Sequence, residues 1–176
     1  LDQKELIQNC IFLLNAGHET TTSLVSNSVS LFLDHPEQHR KLLDDPTLIE
    51  GAVEECLRVE SPLQIGNRHA ATDFTFGDHK INKGTYIHTS IAGANRDPSV
   101  FADPHKFDIE RKNNKHIAFI TGIHVCLGAT LARMEGRIAL GKLLTRFPNM
   151  QRDGDAERLP LARFRGFTRL PVKLNP

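Results

Sequence analysis

The stretch ahead of Pro36 constrains the fold more than any other part of this chain. Leu6, Cys10, Leu13, Gly17, Thr21, Leu24, Ser28 and Leu31 follow one another at steps of three or four. On a helix they form one narrow stripe, expected to face a core. Asp2 and Glu5 stand three apart, as in a capping box with Asp as the cap. The helix should end at Asp34-His35, because the residue before a proline is driven out of helical geometry. The chain opens at Leu1 without an initiator Met and runs straight into this helix. Few domains begin so abruptly, so the sequence reads as a fragment.

Shorter helices are expected from about Pro36 to Leu43 and from about Thr47 to Val59, the second closed by Ser61-Pro62. Residues 64–91 then carry Thr, Phe, Ile and Tyr in short runs broken by Gly66, Gly77-Asp78 and Lys83-Gly84, a pattern of small antiparallel strands. Residues 92–125 are rich in Asn, Asp, Pro and Lys with little periodicity, and irregular stretches of that length usually carry function. A second strong helix should run from about Leu127 to Arg146 with Leu131, Met134, Ile138 and Leu143 inward. Strand candidates follow around Arg163–Thr168 and Arg169–Leu174. The fold class is mainly α with small antiparallel β-elements, and 176 residues suffice for one domain with a core.

The net charge of +1 gives no global field for nucleic acid. No apolar run approaches the ~20 residues of a membrane span, and no secretory signal stands in these residues. Cys10, Cys56 and Cys126 are odd in number, widely spaced and not in a Cys-x-x-Cys pair, which disfavours a disulfide framework and suits a cytoplasmic protein.

Cys126 carries the chemistry. It closes the irregular stretch just before a helix, where free N–H groups and the macrodipole favour a thiolate. Gly122 and Gly128 flank it and remove side chains, so a flat group can approach the backbone. A buried structural cysteine is the plain alternative. A zinc site would recruit His116 and His124, but no second Cys stands nearby and His-x-Cys is poor ligand spacing.

Phe119-Ile120-Thr121-Gly122-Ile123-His124-Val125-Cys126-Leu127-Gly128 resembles the cysteine loop of the cytochrome P450 family, usually Phe-Gly-x-Gly-x-His-x-Cys-Leu-Gly in soluble bacterial members. The resemblance continues through Ala129-Thr130-Leu131-Ala132-Arg133-Met134-Glu135. Ala16-Gly17-His18-Glu19-Thr20-Thr21 looks like the family's oxygen-binding helix motif. Ala16 and Thr20 stack on one helix face with Gly17 beside them, and Glu19 with Thr20 forms an acid–alcohol pair able to deliver protons. Glu55-Cys56-Leu57-Arg58 and Arg111 match the family's structural ion-pair network. Ala94-Asn95-Arg96-Asp97-Pro98 and Phe101-Ala102-Asp103-Pro104 match its lead-in.

The resemblance, which covers essentially the whole chain, implies that residues 1–176 are the C-terminal, haem-binding portion of a cytochrome P450 domain whose N-terminal half is absent. It implies haem b (iron protoporphyrin IX), with Cys126 as axial ligand and Phe119, Gly122 and Gly128 shaping the loop against it. Arg68 and His124 are implied as donors to the haem propionates. Leu63, Gln64 and Ile65, with Phe167 and Thr168, fall where the family lines its substrate pocket. The implied reaction is monooxygenation of a small apolar organic substrate by dioxygen, with electrons from a ferredoxin- or flavodoxin-type donor. That donor would dock near Arg111, Lys112, Lys115, Arg133 and Arg137. A truncated non-catalytic haem-binding product, or a peroxide-using or isomerising relative, is the alternative. Two positions depart from the family pattern: Asn82 replaces a common Pro, and Ile120 stands where Gly is usual. At Ile120 the loop must either adopt ordinary β geometry or hold a β-branched residue at positive φ.

Overall fold

The computed structural model describes residues 1–175. Helix α1 (Gln3–Asp34) opens on a complete capping box: Asp2 Oδ1 accepts from Glu5 N at 2.8 Å, and Glu5 Oε2 accepts from Asp2 N at 2.9 Å. It closes at His35, and Pro36 sits in the first turn of α2 (Pro36–Asp44), where its missing N–H removes no helical bond. A 3-10 turn, Pro46–Leu48, capped by Asp45, leads into α3 (Ile49–Val59). Strand β1 (Ile65–His69) pairs antiparallel with β4 (Tyr86–Ser90), and the hairpin of β2 (Phe74–Phe76) and β3 (His79–Ile81) lies between them in sequence. The one-turn helix α4 (Ile91–Ala94) follows, its cap Ser90 accepting from Gly93 N.

Irregular backbone then runs to a second 3-10 turn, Gly122–His124, and to α5 (Ala129–Arg146). The tail folds into short strands: β5 (Gln151–Arg152) pairs with β8 (Val172–Lys173), and β6 (Glu157–Arg158) pairs with β7 (Phe167–Arg169). Sequence periodicity located β7 and β8 but not β5 and β6, whose two residues each are too short to show alternation. The architecture is mainly helical with small two-stranded antiparallel sheets.

The core lies where the C-terminal half of α1 meets α3 and α5: Leu24, Phe32, Val53, Leu57, Leu140 and Leu144, joined by Phe107 and Ile109 from the irregular segment. Burying such a side chain contributes roughly 1.5–3 kcal/mol. Two expectations are corrected here. The stripe on α1 is buried only in its C-terminal half, at Leu24, Ser28 and Leu31, whereas Leu6, Cys10, Leu13 and Gly17 are exposed. On α5 the inward face is Gly136, Leu140 and Leu144, with Leu143 half-buried, whereas Leu131, Met134 and Ile138 are about half exposed. Gly136 sets that choice. A Cβ there would lie 3.1 Å from Leu24 Cδ2 and 3.3 Å from Val53 Cγ1, so the glycine lets α5 press onto α1 and α3.

The irregular segment is held by charge. Glu55 and Arg58, one turn apart on α3, are fully buried and joined by two bonds of 2.8 Å. Arg58 donates onward to the carbonyls of Asn95, Pro104 and Lys106. Glu55 accepts from Arg111 Nε at 3.0 Å, Asn114 Nδ2 at 3.0 Å and Asp108 N at 3.1 Å. Arg111 in turn donates to the carbonyls of Ala102, Asp103 and Lys106. Two guanidinium groups thus satisfy the carbonyls of Asn95, Ala102, Asp103, Pro104 and Lys106 in a segment without strand ladders.

Candidate functional site

The Cys126 loop is closed by its own backbone. Cys126 N donates to Phe119 O at 3.0 Å, and Val125 N donates to Gly122 O at 3.1 Å. Gly122 turns the chain at φ 77°, a conformation that suits glycine. Ile120 also sits in the left-handed region, at φ 59°, with its N–H on Ile117 O at 2.8 Å. Of the two routes open to that residue, the loop keeps its turn and carries the strain. Helix α5 begins just beyond, with Gly128 as its N-cap, so Cys126 stands two residues ahead of the helix N-terminus. A Cβ on Gly128 would lie 4.0 Å from Cys126 Sγ, in space the glycine leaves clear.

On α1, Thr20 Oγ1 donates to Ala16 O at 2.6 Å, and Thr22 Oγ1 donates to His18 O at 2.9 Å. Ala16 O therefore has a side-chain donor beside its helical one, a feature that loosens a helix locally. A Cβ on Gly17 would meet nothing within 4 Å. The acid and the alcohol of the expected pair are neighbours in sequence, but the Thr20 hydroxyl donates to the backbone and not to Glu19.

An open cleft of about 780 Å³ lies between these segments, within the ~300–1,000 Å³ of small-molecule and cofactor sites. It gathers Ala16, Gly17, Glu19 and Thr20 from α1, Phe119, His124, Cys126 and Gly128 from the loop, and Leu63. Gly122, Arg68, Gln64, Ile65, Phe167 and Thr168 do not line it. Arg68 is exposed on β1 and donates to Asn67 O. Gln64 turns its amide to Ser61 O, and Ile65 pairs with Ser90. Phe167 lies under the Arg158 guanidinium, 3.9 Å from ring centroid to Cζ, and Thr168 bonds Glu157 O.

The tail reaches the cleft instead through Arg163 and Phe164. Phe164 bridges to Leu63, and a Cβ on Gly166 would lie 2.4 Å from Ser23 Oγ, so this turn is pressed against α1. Sequence reasoning missed both residues, since only the long-range Leu63–Phe164 pairing brings them in.

The other candidate ligands are committed elsewhere. Burial pushes the Cys56 thiol up to about 12, so it stays protonated. Cys10 is exposed on α1 and outside the cleft. His116 uses both ring nitrogens: Nδ1 accepts from Ala118 N at 3.2 Å and Nε2 bonds Glu54 Oε2 at 3.0 Å, which ends the zinc reading with His124. Among the described residues no group of three or more His, Cys, Asp or Glu side chains is placed to hold a bare ion. Cys126, exposed on a cleft of this volume, offers a soft sulfur donor that a prosthetic group could meet there. No helix among the described residues is long and apolar enough to cross a membrane.

The cytochrome P450 family model matches residues 1–175. The chain is 47% identical over 173 residues to the biotin biosynthesis cytochrome P450 of Bacillus subtilis, covering 98% of this chain and 44% of that protein. Its structure superimposes on CYP109E1 from Bacillus megaterium in complex with testosterone, with a TM-score of 0.97 and 35% identity, over 100% of this chain and 49% of that one. It also matches P450BioI in complex with an acyl carrier protein ligated to hexadec-9Z-enoic acid, with a TM-score of 0.91 and 47% identity, over 94% and 44% of the two chains. The chain spans less than half the length of each of these relatives. With the family model matched along nearly its whole length, the chain belongs to the cytochrome P450 family.

Proposed function

We propose that residues 1–176 are the C-terminal portion of a haem-thiolate monooxygenase domain. Family membership implies a haem cofactor; we assign haem b, whose iron Cys126 would hold through its sulfur. One observation carries the reading: a single cleft gathers both Cys126 and the Ala16–Thr20 turn of α1, segments from opposite ends of the chain. When bound, haem supplies the activation of dioxygen, one oxygen atom entering the substrate and the other leaving as water. The chain's own residues prepare that chemistry. Cys126, as a thiolate ligand, would supply electron density to the iron it holds. Gly17 keeps the α1 wall open opposite the loop, and Thr20, whose own proton is held on Ala16 O, keeps its oxygen available to accept a bond in the cleft. Glu19, exposed beside it, holds and passes a proton. His124, on the cleft wall, would donate to one haem propionate, and Arg68, outside the cleft on β1, would reach the other by leaving Asn67 O.

The substrate class is a small apolar organic molecule, received by walls that include Phe12, Leu13, Leu63 and Phe164. The fatty acyl chain and the steroid held by the two relatives support that class. The electron donor is of ferredoxin or flavodoxin type, in a cytoplasmic setting that three unpaired cysteines suit. Its docking face is less basic than the sequence suggests. Arg111, Arg133 and Arg137 are paired with Glu55, Glu54 and Glu50, which leaves Lys112 and Lys115 as the exposed cations of that group.

Carbon monoxide added to the reduced full-length protein is expected to give the strongly red-shifted Soret band of thiolate-ligated haem. Cys126→Ala should abolish it, whereas Cys10→Ala and Cys56→Ala should not. A band that survives all three substitutions would refute the assignment.

A further inference from the structure

We infer that Glu54 and Arg133 offset each other's field at the Cys126 thiolate, so that each partner holds the reduction potential of the bound haem against the shift the other would cause. This rests on the haem-thiolate reading above and adds two tuning residues that the cleft does not contain.

The geometry is continuous from the pair to the thiolate. Arg133, on α5, grips Glu54 of α3 through Nε at 2.7 Å and Nη2 at 2.9 Å. Its guanidinium lies over the Phe119 ring, with Cζ 4.5 Å from the centroid. The Phe119 carbonyl accepts the Cys126 N–H at 3.0 Å. A fixed cation therefore stands one aromatic ring behind the loop that presents the thiolate. The Cys126 charge is among the influences that raise the Arg133 pKa, after its bond to Glu54.

Both partners are held charged and in place. Burial opposes the charge on Glu54 more than any other single influence. The hydrogen bonds of His116 and Arg133 together outweigh it and hold the carboxyl at about 2. His116, with its side chain 2% exposed, accepts from Ala118 N at Nδ1. Nε2 therefore turns to Glu54. The Glu54 and Arg133 charges offset one another. Arg137, one turn further along α5, is paired with Glu50 and also reaches Arg133 O.

A cation beside the thiolate favours the reduced, more negative state of the haem, and an anion opposes it. Neutralising either partner therefore exposes the other, with opposite signs. A unit charge about 12 Å away at an effective dielectric constant of about 20 shifts an equilibrium on the order of tenfold.

The test is the haem reduction potential of the full-length, haem-loaded protein. Glu54→Gln should raise the reduction equilibrium constant about tenfold, and Arg133→Gln should lower it by a similar factor. The double variant should return to within about threefold of the parent. Arg133→Lys keeps the charge but loses the fork and the ring contact, and should also stay within about threefold. Single variants that shift in the same direction, or Arg133→Lys matching Arg133→Gln, would show loosened packing in place of charge and overturn the inference. Should Glu54→Gln fail to fold, the Arg133→Gln and Arg133→Lys comparison decides alone. The carbon monoxide band separates the two levels of the argument. If it is independent of Cys126, the haem-thiolate reading fails and this inference with it. If it depends on Cys126 while the potentials stay unmoved, only this inference fails.

Discussion

At the scale of single residues, Ile120 is the most informative position. Its φ of 59° is a left-handed conformation that β-branched side chains resist, at a strain of order 1–3 kcal/mol. The other non-glycine residues at positive φ, Asp103 and Asn113, are of types that tolerate it. The strain persists because the bonds from Ile120 N to Ile117 O and from Cys126 N to Phe119 O fix the turn on both sides. Ile120→Gly removes the strain and adds about 0.5–1 kcal/mol of unfolded-chain freedom, so the net change should be neutral to stabilising by up to about 2 kcal/mol. Haem transfer to apomyoglobin should be slower from the Gly variant of the full-length protein than from the parent. Faster transfer would mean that the loop accommodates Ile120 without strain. The substitution itself was legible in the sequence, but which route the backbone takes was not, because that choice depends on bonds closing around the loop.

At the scale of elements, the irregular segment depends on two side chains of α3. Removing one partner of a buried ion pair costs roughly 3–5 kcal/mol, and Glu55→Ala would also strand Arg111 and Asn114. Urea unfolding of Glu55→Ala should show a midpoint shift corresponding to a loss of at least about 3 kcal/mol. A shift under 1 kcal/mol would show that the segment holds itself. The helices were legible in the sequence wherever a cap or a proline marked an end, as at Asp2 and Pro36. Faces were harder to read. Helix α5 carries apolar residues on several sides, so periodicity could not distinguish Leu131, Met134 and Ile138, on the cleft and solvent sides, from Leu140 and Leu144 in the core. Gly136 decides between them, and it adds nothing to a hydrophobic pattern.

At the scale of the whole molecule, acid should loosen the docking of α3 on α5 through Glu54. Its folded-state pKa of about 2 lies below the ordinary 4.5. The stability it contributes is thus complete above about pH 4.5 and is lost as pH falls toward 2. Between those values the unfolding free energy should fall more steeply for the parent than for Glu54→Gln, and identical slopes would show that the carboxylate is not linked to folding. The parts of the site written as contiguous motifs, the Cys126 loop and the Ala16–Thr20 turn, were legible in the sequence. The brace behind the loop was not, because Glu54, His116 and Arg133 meet only when α3, the irregular segment and α5 have docked.

That docking has an order in time. The chain is made from its N-terminus, so α3 exists before the backbone that Arg58 will hold at Asn95, Pro104 and Lys106. Closing a longer loop adds little entropy cost, since the cost grows only with the logarithm of length. The delay is a matter of synthesis more than of search. Until those carbonyls arrive, Glu55 and Arg58 can satisfy only each other and water. The α3 surface that will become interior must therefore stay hydrated through part of translation, and the Cys126 loop, further downstream still, receives its support last.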